Sequence, residues 1–207
     1  MQWYYRFHWL FLHLLFWAYF GYKSGGDEHI PEDGPLLLAA NHNSFLDPPI
    51  IALSIRRQTT FLGKEELFSI PGLGWWIKSL GTYPVKRGAG DLRAVKTAIR
   101  FLKEGKVMIM FPEGTRSSDG NLMDFQDGLA WLSLKTNAPI APVMIEGAFR
   151  AMPRGVFFPR PRRIQVQIGP CVRPTPEELE GDQTQAIQSI TRRLHEAMSK
   201  MQNEIRA

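Results

Sequence analysis

The sequence predicts an α/β fold: a single domain with a mixed, mostly parallel sheet flanked by helices, preceded by a membrane-associated N-terminal helix. Three observations point there. Short apolar runs such as Leu36-Leu37-Leu38-Ala39-Ala40 and Val107-Met108-Ile109-Met110 alternate with helix-like segments, as buried strands joined by helical crossovers do. The 207 residues are 44% hydrophobic, enough for one sizeable core but short for a second independent domain. The first twenty residues are dominated by aromatic and aliphatic side chains. The expected division is an N-terminal helix over 1–22 and one domain over 23–207.

In the N-terminal segment only Gln2, Arg6, His8 and His13 interrupt the apolar run. At about 100° per residue, Gln2, Arg6 and His13 share a narrow sector of one helical face. A crossing of the bilayer needs about 20 predominantly apolar residues, so a tilted span stays open. Arg6 and the histidines favour a helix lying among headgroups with its polar ends snorkelling, and Trp3, Tyr4, Tyr5, Trp9, Trp17 and Tyr19 suit that boundary. A helix buried against its own domain is the other reading. A cleaved signal peptide fits less well, because no basic stretch leads into the apolar one.

Beyond the polar break at 21–34, residues 35–40 read as a buried strand that delivers Asn41 and His42 to its end. Pro48 then opens a helix to about Arg57, with Asp47 as its N-cap. Residues 59–63 and 82–85 read as strands, with short helices over 64–80 broken at Pro71-Gly72. The segment 91–104 is amphipathic, with Leu92, Val95, Ile99 and Leu102 on one side and Gly105 as its stop. Residues 107–111 form the strongest strand and run into Pro112-Glu113-Gly114. A helix over 128–135, strands over 140–145 and 163–168, and a long polar helix from Thr175 complete the pattern. No internal repeat interrupts it.

The net charge of +5 and pI near 9.5 favour anionic partners. The basic residues are scattered and no recognition motif accompanies them, which argues against nucleic acid. The single cysteine, Cys171, rules out an intrachain disulfide and a multi-cysteine metal site. It is expected to be structural. A denser group, Arg150, Arg154, Arg160, Arg162 and Arg163, brackets Val156, Phe157 and Phe158 as a basic loop with an apolar tip, suited either to an anionic leaflet or to plain solvent.

Two segments carry chemistry. In Asn41-His42-Asn43-Ser44-Phe45-Leu46-Asp47, the five-residue step would part His42 and Asp47 on a regular helix, but across a strand-to-helix turn they can meet. Asp47 would then hold one imidazole nitrogen while the other takes a proton from a hydroxyl. Otherwise Asp47 is a helix cap and His42 a loop residue. In Phe111-Pro112-Glu113-Gly114-Thr115-Arg116-Ser117, Gly114 admits close backbone approach to an anion, Thr115 and Ser117 offer hydroxyls, and Arg116 suits phosphate. Glu113 would hold a substrate hydroxyl or fix Arg116; a polar turn after a strand is the plain alternative. Lys64 and the pair Lys86-Arg87 add cations at strand ends.

The combination and order of these segments resemble a family. Asn-His-x-Ser-x-x-Asp at 41–47, Gly-x-x-x-x-x-Arg at 81–87, Phe-Pro-Glu-Gly-Thr-Arg-Ser at 111–117 and Ala-Pro-Val at 141–143 are similar to the four blocks of the glycerolipid acyltransferases, nearest to PlsC-like 1-acylglycerol-3-phosphate acyltransferases. The blocks span about half the chain. The resemblance implies His42 as catalytic base with Asp47 its partner, and Arg87, Gly114, Thr115 and Arg116 as ligands of the acceptor phosphate. It implies that Glu113 positions the acceptor, that Lys64 adds to the phosphate site, and that Pro142 shapes a strand near the acyl chain. Ala141 stands where valine is common and Lys86 where an acidic residue is common, which blurs acceptor identity.

The implied reaction moves an acyl group from acyl-CoA or acyl-carrier protein to the sn-2 hydroxyl of lysophosphatidic acid, with no cofactor and no metal. The implied setting is the cytoplasmic face of the inner (plasma) membrane, with lipids and the thioester donor as partners. Another lysolipid acceptor, such as a lysophospholipid or a lyso-ornithine lipid, an acyl thioesterase and a non-catalytic membrane-binding protein are the competing readings. Trp75, Trp76 and Leu80 are candidates for the wall of an acyl tunnel or for plain core.

Overall fold

The strongly apolar runs of the sequence become adjacent strands. In the computed structural model, which describes residues 3–79, 81–85, 92–156 and 158–207 (side chains of 3–8, 64, 73, 76 and 79 excepted), the elements follow in this order. They are α1 (Trp3–Phe20), β1 (Lys23–Gly25), β2 (Leu36–Ala40), α2 (Asp47–Ser54), β3 (Thr59–Lys64), α3 (Leu73–Ser79), β4 (Thr82–Val85), α4 (Leu92–Lys103), β5 (Val107–Met110), α5 (Gly128–Thr136), β6 (Ile140–Glu146), α6 (Ala148–Ala151), β7 (Gln165–Ile168), α7 (Pro176–Glu180) and α8 (Gln183–Arg206). Among the described residues the strands form one sheet in the order β1-β7-β6-β2-β5-β3-β4. Every neighbouring pair is parallel except β6 and β7.

Alternation along the strands divides the core into two layers. Leu36, Leu38, Ala40, Val107, Ile109, Val143 and Ile145 face α1 and α2, where Phe16, Phe20, Ile50 and Ile51 cover them. Leu37, Ala39, Met108, Ile140 and Met144 face α4, α5 and α8, covered by Phe101, Leu129, Ile190, Leu194 and Met198. β2 is buried at every residue, as a central parallel strand with helices on both faces must be.

Several expectations are corrected. The 21–34 break contains β1, which extends the sheet by pairing with β7; its Lys-Ser-Gly composition carries no apolar signal. The helix expected from Thr175 onward is two. Thr175 and Glu178 form a capping box on α7, Gly181 ends it, and Asp182 caps α8 by accepting from the Gln185 amide at 2.8 Å. α8 is amphipathic rather than polar, with Ile190, Leu194 and Met198 buried. In α4 the buried face is Ala98, Phe101 and Leu102, and Leu92 is 70% exposed, because the large ring of Phe101 takes the inward position.

α1 departs from expectation most. His13 shares a helical sector with Gln2 and Arg6, which suits a polar edge among headgroups, yet its ring packs inward between Trp9 and Tyr22. Trp9, Leu12, Phe16 and Phe20 join it against the domain, so one face of α1 is core. Among the described residues no helix is long and apolar enough to cross a membrane. Cys171 packs against the α1 side of the core, its thiol donating to the His29 carbonyl at 3.4 Å. Trp75 is 74% exposed rather than lining a tunnel; Leu80 and the Trp76 side chain lie outside the described residues.

Candidate active site

Strand register brings the two motifs together. Ala39 pairs with Met110 across β2 and β5, so the segments beginning at Asn41 and Phe111 leave neighbouring strands at one level, outside their carboxyl ends. Asn41 locks its end in place. Its side-chain amide donates to the Ile145 carbonyl at 2.9 Å and its oxygen accepts from the Ile145 N–H at 2.7 Å, tying the end of β2 to β6.

The segment then coils around a single oxygen. Asp47 Oδ2 accepts from the backbone N–H of Asn43 at 2.6 Å and of Ser44 at 2.7 Å, and meets His42 Nδ1 at 2.9 Å. Asp47 is therefore not the expected helix cap: it is the first residue of α2 and turns back to the loop before it. Burial pushes its carboxyl up from the ordinary value, while the His42 ring and the two amides oppose that shift. Oδ2, with two backbone N–H donors on it, acts as an acceptor, and Oδ1 is buried with no hydrogen-bond partner among the described residues. A carboxylate on Nδ1 places the imidazole proton there and leaves Nε2 as an acceptor.

The second motif holds His42 from the other side. Phe111 stacks on its ring with centroids 3.9 Å apart, the Ser117 N–H donates to the His42 carbonyl at 2.7 Å, and the His42 N–H donates to Glu113 Oε1 at 3.4 Å. Glu113 is buried, and burial raises its carboxyl to about 8, with the nearby Asp47 charge adding and the His42 amide opposing. Its Oε2 is buried with no hydrogen-bond partner among the described residues. Gly114 takes φ +71°, and a Cβ there would collide with the Gln126 side chain. Thr115 is exposed beside it, and the Arg116 guanidinium lies over the Phe45 ring at 3.9 Å.

The expected phosphate set is only partly on view. Gly114, Thr115 and Arg116 share one turn beside His42, and β3 ends at Lys64 opposite Val85, the last residue of β4. The Lys64 side chain and all of Arg87 lie outside the described residues. The Ser117 hydroxyl, offered by the sequence beside that of Thr115, is buried, donating to Asp119 Oδ1 at 2.9 Å and accepting from the Gly120 N–H at 3.0 Å. Among the described residues no His, Cys, Asp and Glu group could hold a metal ion.

A family model described as Acyltransferase matches residues 22–146, more than half of the chain. The chain belongs to the acyltransferase family. All of the anticipated site residues of this family member fall inside the matched region. It is 35% identical over 133 residues to the 1-acyl-sn-glycerol-3-phosphate acyltransferase BAT2, chloroplastic, of Brassica napus, covering 63% of this chain and 38% of that protein. It is 34% identical over 112 residues to the lyso-ornithine lipid O-acyltransferase of Pseudomonas aeruginosa, covering 54% and 43%. The chain thus spans about two fifths of the length of these curated relatives. The crystal structure of the 1-acyl-sn-glycerophosphate acyltransferase PlsC from Thermotoga maritima superposes with a TM-score of 0.74 at 29% identity, covering 90% of this chain and 74% of that one.

The structural parts of this candidate site carried little signal in the sequence. Phe111 ends a strand and opens the second motif, and an aromatic at a strand terminus beside a histidine loop is a stacking candidate. Asn41 belongs to the first motif but carries no chemistry in it, and a buried Asn at the end of an all-apolar strand signals a backbone clasp. Phe45 beneath Arg116 had no local signal, since the two are seventy-one positions apart and meet only through the β2–β5 register.

Proposed function

We propose that this chain transfers a fatty acyl group from an acyl thioester, acyl-CoA or acyl-carrier protein, to the sn-2 hydroxyl of 1-acylglycerol-3-phosphate. The observation that carries the reading is the imidazole of His42, oriented through Nδ1 by a buried carboxyl and stacked on Phe111. His42 Nε2 takes the proton of the acceptor hydroxyl as its oxygen attacks the thioester carbonyl. The tetrahedral intermediate then expels the thiolate by C–S cleavage, and the imidazolium returns its proton to sulfur. Asp47 stabilises that imidazolium. The base and nucleophile come from His42 and the acceptor, so the reaction needs no cofactor.

In this reading Gly114, Thr115 and Arg116, with Arg87 and Lys64, bind the acceptor phosphate. Glu113, neutral below about pH 8, positions the acceptor. The site would work at the cytoplasmic face of the inner membrane, held there by α1. The likeness to a lyso-ornithine lipid acyltransferase supports a second reading, the same chemistry on another lysolipid.

An acceptor panel in mixed micelles separates these readings. Lysophosphatidic acid should outpace a lysophospholipid with a blocked phosphate and lyso-ornithine lipid, and Arg116→Gln should erase that preference by raising KM for the phosphomonoester. Faster turnover of lyso-ornithine lipid by the wild type would transfer the assignment to that acceptor. Free fatty acid as the only product would make the chain a thioesterase.

A further inference from the structure

Phe45 is an aromatic ring with no place in the core. It is 57% exposed and belongs to neither apolar layer, although Leu46 beside it packs against the α1 and α2 side. Its ring meets a cation instead: the Arg116 guanidinium carbon sits 3.9 Å from the ring centroid. Arginine rests on aromatic faces through both charge and flat stacking. A guanidinium stacked by its face keeps its N–H fork in its own plane, the plane in which it binds phosphate.

The backbone on either side of Phe45 is pinned. The Ser44 N–H donates to Asp47 Oδ2 at 2.7 Å, and the Leu46 carbonyl accepts from the Ile50 N–H at 3.0 Å. The Ser44 hydroxyl donates to the Met152 carbonyl at 2.9 Å and accepts from the Leu46 N–H at 3.2 Å, so it bridges across residue 45 itself. Phe45 stands in the loop that carries His42 and closes on Asp47, whereas Arg116 comes from the turn after β5. The ring is thus a fixed support, built into the loop of the base, for a long side chain arriving from another strand. An arginine already resting on a ring has less rotamer freedom to lose when it grips a ligand.

We propose that Phe45 is a positioning residue for the acceptor: it holds the Arg116 guanidinium in a set place relative to His42, so that binding the phosphate brings the neighbouring hydroxyl to Nε2. This role rests on the reading that the acceptor is a phosphomonoester lysolipid. In such an acceptor the reacting hydroxyl and the phosphate sit on adjacent carbons. A phosphate ligand that drifts therefore carries the hydroxyl out of line with the base, and small misplacements slow a reaction severalfold or more. A lysolipid whose phosphate is a diester draws less on Arg116, and hence less on Phe45.

The test is steady-state acylation of lysophosphatidic acid and of lysophosphatidylcholine in mixed micelles by the full chain and its variants. Phe45→Leu stays apolar but offers no ring face. Its preference for lysophosphatidic acid should fall about fivefold, through KM for that acceptor, with KM for the thioester unchanged. Phe45→Tyr keeps the face and should keep the preference. Phe45→Leu/Arg116→Gln should match Arg116→Gln alone, because a residue that acts only through Arg116 then has nothing left to hold. Three results would overturn the proposal: a Phe45→Leu preference equal to that of the wild type, a further loss of the same size in the double variant, or a change confined to KM for the thioester, which would make Phe45 part of the acyl wall. A wild type with no preference for the phosphomonoester is a separate result, and it would remove the acceptor reading together with the role of Phe45.

Discussion

One carboxylate oxygen, Asp47 Oδ2, receives three nitrogens, and that convergence decides what substitutions at the site should do. Asp47→Asn keeps the volume but removes the charge that selects the His42 tautomer. Its kcat is expected to fall by about 10² to 10⁴-fold, with far-UV circular dichroism unchanged. Glu113 behaves differently because its carboxyl is raised from 4.5 to about 8 in the fold. The unfolded chain gives up that proton first. The stability due to neutral Glu113 is therefore whole below about pH 4.5, declines as pH rises towards 8, and is lost above it. Glu113→Gln stays neutral throughout, so its stability relative to wild type should rise across that window. Urea unfolding of both proteins below and above the window measures the crossing, and parallel curves would refute the buried neutral acid.

The elements explain how residues so far apart in sequence keep their geometry. Arg206, in the last turn of α8, donates to Glu146 Oε2 at 2.8 Å, Asn121 Oδ1 at 2.9 Å and the Gly120 carbonyl at 2.8 Å. Asn121 in turn holds Asp119, which accepts from the Ser117 hydroxyl, and the Ser117 N–H reaches the His42 carbonyl. The end of α8 therefore steadies the turn that carries Arg116. Arg206→Ala should lower kcat/KM by about tenfold, mostly through KM for the acceptor, as the loss of a charge-assisted hydrogen bond suggests. Arg206→Lys should recover part of that loss, and an unchanged KM would show the clamp to be ornamental to binding. None of this was legible beforehand, because α8 announces itself only by its period and Arg206 looks like any exposed cation.

At the scale of the molecule, what could be read in advance was what local chemistry controls. The apolar runs at 36–40, 107–110 and 140–145 favoured burial in a sheet, and the parallel order placed both motifs at carboxyl ends. β1 escaped notice because Lys23-Ser24-Gly25 contributes backbone pairing and no apolar side chains. For α1 the packing of one face against the domain was one of two open readings, and the inward turn of His13 escaped because its helical sector does not say whether an imidazole is solvated or held between rings. The pairing of His42 with Asp47 was anticipated as a possibility; the amides that converge on it depend on the path of the loop, which the spacing alone does not determine. In the proposed reaction His42 deprotonates a lipid hydroxyl. The most direct measurement is product analysis with a labelled acyl thioester and lysophosphatidic acid, comparing wild type with His42→Ala. Labelled phosphatidic acid from the wild type, with at least a hundredfold loss in the variant, is the predicted result; phosphatidic acid formed at equal rates by both proteins would contradict it.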